Sequence, residues 1–199
     1  MKAKAAALVA ALLVAAPALA DTKTEGVIPG ILFGPKLSLI SFPNPGAGLE
    51  VKIFRHFGAS FDYDFLPDIT VSNVTVSSHV WNVAAKVYPF GGAFHAGLAV
   101  GAYRFQGRTV DNSTGTPLTG TVAISSTFIA PQVGWRWVWG SGFFMATDVG
   151  WAFPLSFDTQ LDAPAQVPSQ TLTDIRNSAN KWVKVGLPLV GFLQLGWLF

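Results

Sequence analysis

From Ile31 onward the chain alternates apolar with polar or small residues, in blocks separated by turn-forming segments. Side chains of a strand point to opposite faces at successive positions, so a block with one apolar parity is a strand with one apolar face. Ile31 to Ile40 sets Phe33, Pro35, Leu37 and Leu39 against Gly34, Lys36 and Ser38. Leu49 to Arg55 sets Leu49, Val51 and Ile53 against Glu50 and Lys52. Between Ala59 and Phe65, Phe61, Tyr63 and Phe65 alternate with Ser60, Asp62 and Asp64, a pattern no helix explains. His79 to Tyr88 pairs Trp81, Val83, Ala85 and Val87 with Asn82, Ala84 and Lys86. Ala93 to Gly107 is rich in Gly and Ala, which leaves its parity open and makes room for a bulge. Val122 to Trp139 ends with Val133, Trp135 and Trp137 against Gln132, Gly134 and Arg136. Phe143 to Phe157 sets Met145, Thr147, Val149, Trp151, Phe153 and Leu155 against Ala146, Asp148, Gly150 and Ala152. The last strand, ending at Phe199, carries Leu189, Leu193, Leu195 and Trp197 against Gln194 and Gly196.

These blocks predict an all-β chain of 8 strands. The even count and alternation predict a closed antiparallel transmembrane β-barrel with the apolar parity facing lipid. Closure is required because an open sheet edge would leave unpaired N–H and C=O groups in hydrocarbon.

The connectors alternate as well. Arg55-His56-Phe57-Gly58, Pro89-Phe90-Gly91-Gly92 and Gly140-Ser141-Gly142 read as tight turns. Pro43 to Gly48, Leu66 to Ser78, Asp111 to Thr121 and Asp158 to Asn180 read as longer polar loops. Short periplasmic turns opposite longer extracellular loops are the pattern of outer-membrane barrels. Within the last loop, Leu172, Ile175, Ala179 and Trp182 have helical spacing. Thr171 and Asp174 stand at the start and Lys181 and Lys184 at the end, as a helix dipole favours. Residues 171–184 are therefore either a short helix at the extracellular rim or an early start of the last strand.

Composition sharpens this picture. The chain has 199 residues, enough for one domain, and is 50 % hydrophobic but only 12 % charged. A soluble domain carries about 25 % charged residues. Past the N-terminus no apolar run is long enough for a membrane helix, so the hydrophobic residues must be interleaved. Cysteine is absent, which removes disulfides, thiolate metal sites and cysteine nucleophiles.

Residues 1–20 read as a cleaved signal peptide: Lys2 and Lys4 precede an Ala/Leu/Val run, Pro17 ends it, and Ala18 and Ala20 supply the small-x-small cleavage box. Residues 21–29 form a short N-terminal segment, and 30–199 form the barrel. The 13 basic residues of the whole chain less Lys2 and Lys4 leave 11 against 11 acidic. A mature charge of zero and no basic cluster argue against a nucleic-acid partner.

The final Leu193-Gln194-Leu195-Gly196-Trp197-Leu198-Phe199 resembles the C-terminal signal of outer-membrane proteins. In that pattern the chain ends on an aromatic residue, preceded at alternate positions by an aromatic and then apolar residues; Phe199, Trp197, Leu195 and Leu193 match in turn. The resemblance covers the last strand and implies export to the outer membrane of a Gram-negative bacterium and recognition by its assembly machinery. With the leader and the alternating blocks, the whole chain is similar to the small OmpA- and OmpX-like barrels.

The polar parity should face the lumen. It holds Lys36, Lys52, Lys86 and Arg136 with Glu50, Asp62, Asp64 and Asp148, balanced in charge. The lumen of a barrel of this size is just wide enough to be filled by side chains, and a lone buried ion is costly, so these residues are expected to pair into a plug. Trp81, Trp135, Trp137, Trp151 and Trp197 lie on the outward parity and suit the aromatic girdles at the two membrane interfaces. The Trp135-Trp137-Trp139 series could also be taken for a sugar or base platform, but its place beside a tight turn favours the girdle.

The function expected is a structural or surface-interaction role in the outer membrane, among its lipids and lipopolysaccharide, with the extracellular loops as the ligand-facing part. The alternatives are a narrow porin-like pore for small solutes and a lipid-modifying enzyme. For the last, His79 with Ser77, Ser78 and Asp68 offers the ingredients of a Ser–His–Asp site, though at no recognised spacing. No catalytic residue, cofactor or metal is therefore expected; His56, His79 and His95 are scattered.

Overall fold

The computed structural model describes residues 26–111, 118–162, 173, 177, 181 and 184–199. Eight antiparallel strands form one closed barrel in which each pairs with its sequence neighbours and β8 closes on β1. They are β1 (Ile31–Phe42), β2 (Gly46–Ile53), β3 (Phe57–Val71), β4 (Val74–Val87), β5 (Phe94–Asp111), β6 (Leu118–Val138), β7 (Phe143–Asp162) and β8 (Leu187–Trp197). The all-β closed barrel and its strand count are those the alternation predicts. Residues 1–20, read from the sequence as a leader with its Ala18 and Ala20 cleavage box, lie outside the described residues.

Burial follows the alternation. In β1, Leu32, Gly34, Lys36 and Ser38 are buried inside, while Phe33, Pro35, Leu37 and Leu39 are exposed outside. The large apolar residues are thus on the outer wall, the reverse of a soluble protein. Closure needs close approach at the seam. A Cβ at Gly34 would strike the Trp197 carbonyl, so glycine lets the C-terminal strand reach β1, and Phe199 N–H donates to Phe33 O at 2.9 Å.

Three expectations change. Pro43 to Gly48 is not a long loop: β2 begins at Gly46, and Gly46 to Gly48 pair with Asp62 to Asp64. Leu66 to Ser78 is not a loop either. β3 and β4 continue as a hairpin turning at Ser72-Asn73, with Val71 opposite Val74. The alternation is broken at Pro67-Asp68, where the pairing jumps from Leu66↔Ser78 to Ile69↔Val76, a bulge that hides the strand from a parity count. Beyond it, β-branched Ile69, Thr70, Val71, Val74, Thr75 and Val76 favour strand pairing. Third, Leu189 does not share the outward face of Leu193. It packs with Leu187 against the interior cluster around Phe128, because β8 slips register between Gly191 and Gln194. β5, by contrast, pairs on both sides without a register shift, so it holds no bulge.

The loop Asp111 to Thr121 is reduced from both ends by β5 and β6, and residues 112–117 lie outside the described residues. β7 likewise runs past Asp158 to Asp162. Within 171–184, Thr173, Asn177, Lys181 and Lys184 have helical backbone, and β8 begins only at Leu187. The other residues of 171–184 lie outside the described residues.

Candidate functional site

The barrel interior gathers the chain's buried polar chemistry. Lys36, Glu50, Lys52, Asp62, Lys86, Arg136 and Asp148 are all buried there, and Asp64 is half-buried beside Asp62 on the same strand face. Glu50, wholly buried, is the hub. One carboxylate oxygen accepts from Arg136 Nη1, and the other lies 3.5 Å from both Lys36 Nζ and Lys86 Nζ. Lys36 reaches Asp62 at 2.8 Å, and Lys86 reaches Asp148 at 3.6 Å. Asp148 lies 2.6 Å from His95 Nε2 and accepts from Gln194 Nε2 at 3.0 Å. Lys36, Glu50, Asp62, Lys86, His95, Arg136, Asp148 and Gln194 come one from each strand, β1 to β8 in order, so the network ties the whole wall together.

Aromatic rings complete it. Tyr88 OH accepts from Arg136 Nη1 at 2.7 Å. Lys52 Nζ sits 4.5 Å from the centre of the Tyr88 ring, and the Arg136 guanidinium 5.1 Å from that of Phe144. Both distances suit cation–π attraction. His95, Tyr88, Gln194 and Phe144 are the partners that sequence reasoning left out of the network. The signal for Tyr88 was the parity of Asn82, Ala84 and Lys86, which continues inward to it. His95 was obscured because Gly97, Ala99 and Gly101, its companions on the inner face, have no side chain that marks a face.

Apolar clusters flank this layer. Leu32, Val138, Phe144, Ala146 and Leu198 pack together toward the tight-turn end. Farther along, Val80, Ala84, Ala99, Tyr103, Phe128, Ala130 and Ala152 form a second cluster on the β4–β7 side. Within the lumen a cavity of about 50 Å³ is bounded by Ser38, Asp62, Asp64, Lys86, Asp148 and Gln194, room enough for ordered water.

On the outer wall, the rim at the tight-turn end is aromatic. Trp139 stacks on Phe143 with ring centres 5.4 Å apart, Trp135 meets Phe94 at a tilt at 5.6 Å, and Trp197 meets Phe143 edge-on at 6.0 Å, with Trp137 on the same strand face as Trp135. Trp81 and Trp151 lie farther toward the loop end, both exposed, and Trp151 Nε1 donates to Val185 O at 3.1 Å. Leu193 and Leu195 are half-buried on the outer face, and Phe199 is exposed at its end.

The Ser–His–Asp ingredients are not brought together. His79 points outward and pairs with the Tyr63 hydroxyl at 2.9 Å, while Ser78 points inward and donates to Asn44 Oδ1 at 2.8 Å. Adjacent strand residues face opposite sides of the wall, and Asp68 stands exposed in the β3 bulge. His79 also lies within β4, not at its start. Among the described residues no group of His, Cys, Asp or Glu is arranged to hold a metal ion.

No protein-family model matches the chain, and no curated protein matches it. Among solved structures, the chain is similar to Acinetobacter baumannii CarO2, at 12 % identity and a TM-score of 0.47, over 85 % of this chain and 98 % of that one. It is also similar to Acinetobacter baumannii CarO, at 14 % identity and a TM-score of 0.45, over 88 % of this chain and 99 % of that one.

Proposed function

We propose that the chain is an outer-membrane β-barrel of a Gram-negative bacterium, exported by a cleaved leader, with a side-chain-plugged lumen and a structural or surface-interaction role. One observation carries the reading: the wall is apolar outside and ionic inside. Phe33, Leu37, Leu49, Phe61, Val83, Leu98, Val133 and Phe153 are all exposed, a continuous apolar surface that water would penalise and lipid would not. A closed barrel with that surface satisfies its backbone without solvent, which is what hydrocarbon demands. The plug follows from the network around Glu50: eight linked side chains, one per strand, flanked by apolar clusters, leave solutes no wide path.

Two measurements test this. Outer membranes from cells expressing the full chain are run in SDS, boiled and unboiled. The unboiled band is expected to migrate differently and to co-fractionate with outer membranes; co-migration of the two, or recovery in the soluble periplasm, sinks the barrel reading. Purified protein in a planar bilayer is then expected to give no steady conductance. Regular conductance steps would replace the plug with the narrow-pore alternative.

A further inference from the structure

On the outer wall, toward the loop end, the apolar surface gives way to polar residues within one row of paired positions. Trp81, Ala102, Thr127 and Ser156 are cross-strand partners across β4 to β7, and the next outward row is His79, Arg104, Ser125 and Asp158. Below them lie Val83, Val100, Ile129 and Phe153 on the same face. At this boundary the wall is hollowed into an open groove of about 520 Å³. It is too large for a phosphate alone and large enough for a sugar carrying one.

Its walls differ chemically. On the β4–β5 side Arg104 is exposed and makes no ion pair with a described residue; its guanidinium lies 2.8 Å from the Gln106 side-chain amide oxygen when that amide is turned to accept. Beside it stand His79, held by Tyr63, and the exposed ring of Trp81. Ser125, Thr127 and Ser156 supply hydroxyls along the floor, the last two bonded to each other at 2.6 Å. On the β7 side Asp158 accepts from Gln160 at 2.9 Å. A guanidinium without a carboxylate matches a phosphate. A carboxylate, an aromatic face and hydroxyls match the hydroxyls and apolar face of a sugar. The apolar wall beneath matches acyl chains.

We propose that this groove binds the headgroup of a phosphorylated glycolipid, with the phosphate at Arg104 and His79, the sugar against Trp81 and Asp158, and the acyl chains along the wall below. The inference rests on the outer-membrane reading, since the loop end then faces the outer leaflet.

The test uses the full chain, purified as a folded barrel in detergent and examined by native mass spectrometry with added diphosphoryl lipid A, monophosphoryl lipid A or phosphatidylglycerol. Wild type is expected to retain diphosphoryl lipid A at least tenfold more than phosphatidylglycerol, with the monophosphoryl form between them. Arg104→Gln is expected to lower retention of the diphosphoryl form about tenfold, Arg104→Lys to lower it less, and Asp158→Asn to narrow the preference over phosphatidylglycerol. Equal retention of phosphatidylglycerol by wild type, or undiminished lipid A retention by Arg104→Gln, overturns the proposal. The boiled and unboiled mobility of each variant is run alongside. A correctly folded outer-membrane barrel that fails to retain lipid A refutes this inference and leaves the outer-membrane reading intact.

Discussion

The two faces of this wall use the same residue types to opposite ends. In the lumen, Arg136, Asp148 and His95 are buried and linked, each within hydrogen-bonding or ion-pair distance of a partner from another strand. Outside, Arg104, Asp158 and His79 occupy one row of neighbours, yet the arginine is exposed and without an ion pair among the described residues. Inside, removal from water makes an unpaired charge costly, so the linked charges around Glu50 are part of the fold. At the rim the arginine stays hydrated, so it contributes little to folding and is free to meet a ligand. Burial, more than residue type, separates the structural cluster from the recognition surface.

Substitutions should reveal this contrast, with the largest loss at the hub. Glu50→Ala leaves Arg136, Lys36 and Lys86 without their shared acceptor and is expected to destabilise the barrel by about 3–5 kcal/mol, the usual cost of stranding a buried partner. Urea unfolding followed by tryptophan fluorescence in detergent measures it; a wild-type midpoint would mean the network is not structural. Arg136→Ala should cost a similar amount. The Glu50→Ala and Arg136→Ala double variant should lose clearly less than the two single losses added, because it strands no charge between these two partners; strict additivity would show that they act independently. Asp62→Ala is expected to cost less, about 1–2 kcal/mol, since its side chain is 12 % exposed and Lys36 keeps Glu50 as a second partner. The smallest effect belongs to Arg104→Ala, which should lie within about 0.5 kcal/mol of wild type. A loss at Arg104 as large as that at Asp62 would erase the distinction between the two faces.

Much of this was legible because a strand repeats every two residues and a barrel wall has only two sides. The run from Phe61 to Asp64 states its orientation outright, and so do Lys36, Glu50, Lys52 and Arg136. The reading failed where that period breaks. Pro67-Asp68 in β3 and the slip after Gly191 in β8 each add residues without a partner, so the parity count ended too early in one strand and put Leu189 on the wrong face in the other. It was silent where side chains carry no polarity, as around His95. The Ser–His–Asp idea failed for a simpler reason: nearness along the chain says nothing when neighbours face opposite sides of a sheet.

The sequence alone therefore determined the strand count, the closed barrel, the apolar outer face and the charges of the inner one, because all of these follow from local alternation. The export leader read in residues 1–20 and the assembly signal read in Leu193 to Phe199 remain proposals from the sequence. Tertiary structure decided which charge meets which. Glu50 and Arg136 are separated by 86 positions, and only closure of the barrel brings them together. It also decided that Arg104, Thr127 and Asp158, on three strands, share one groove. Register across strands is a property of paired backbones, and no single strand contains it.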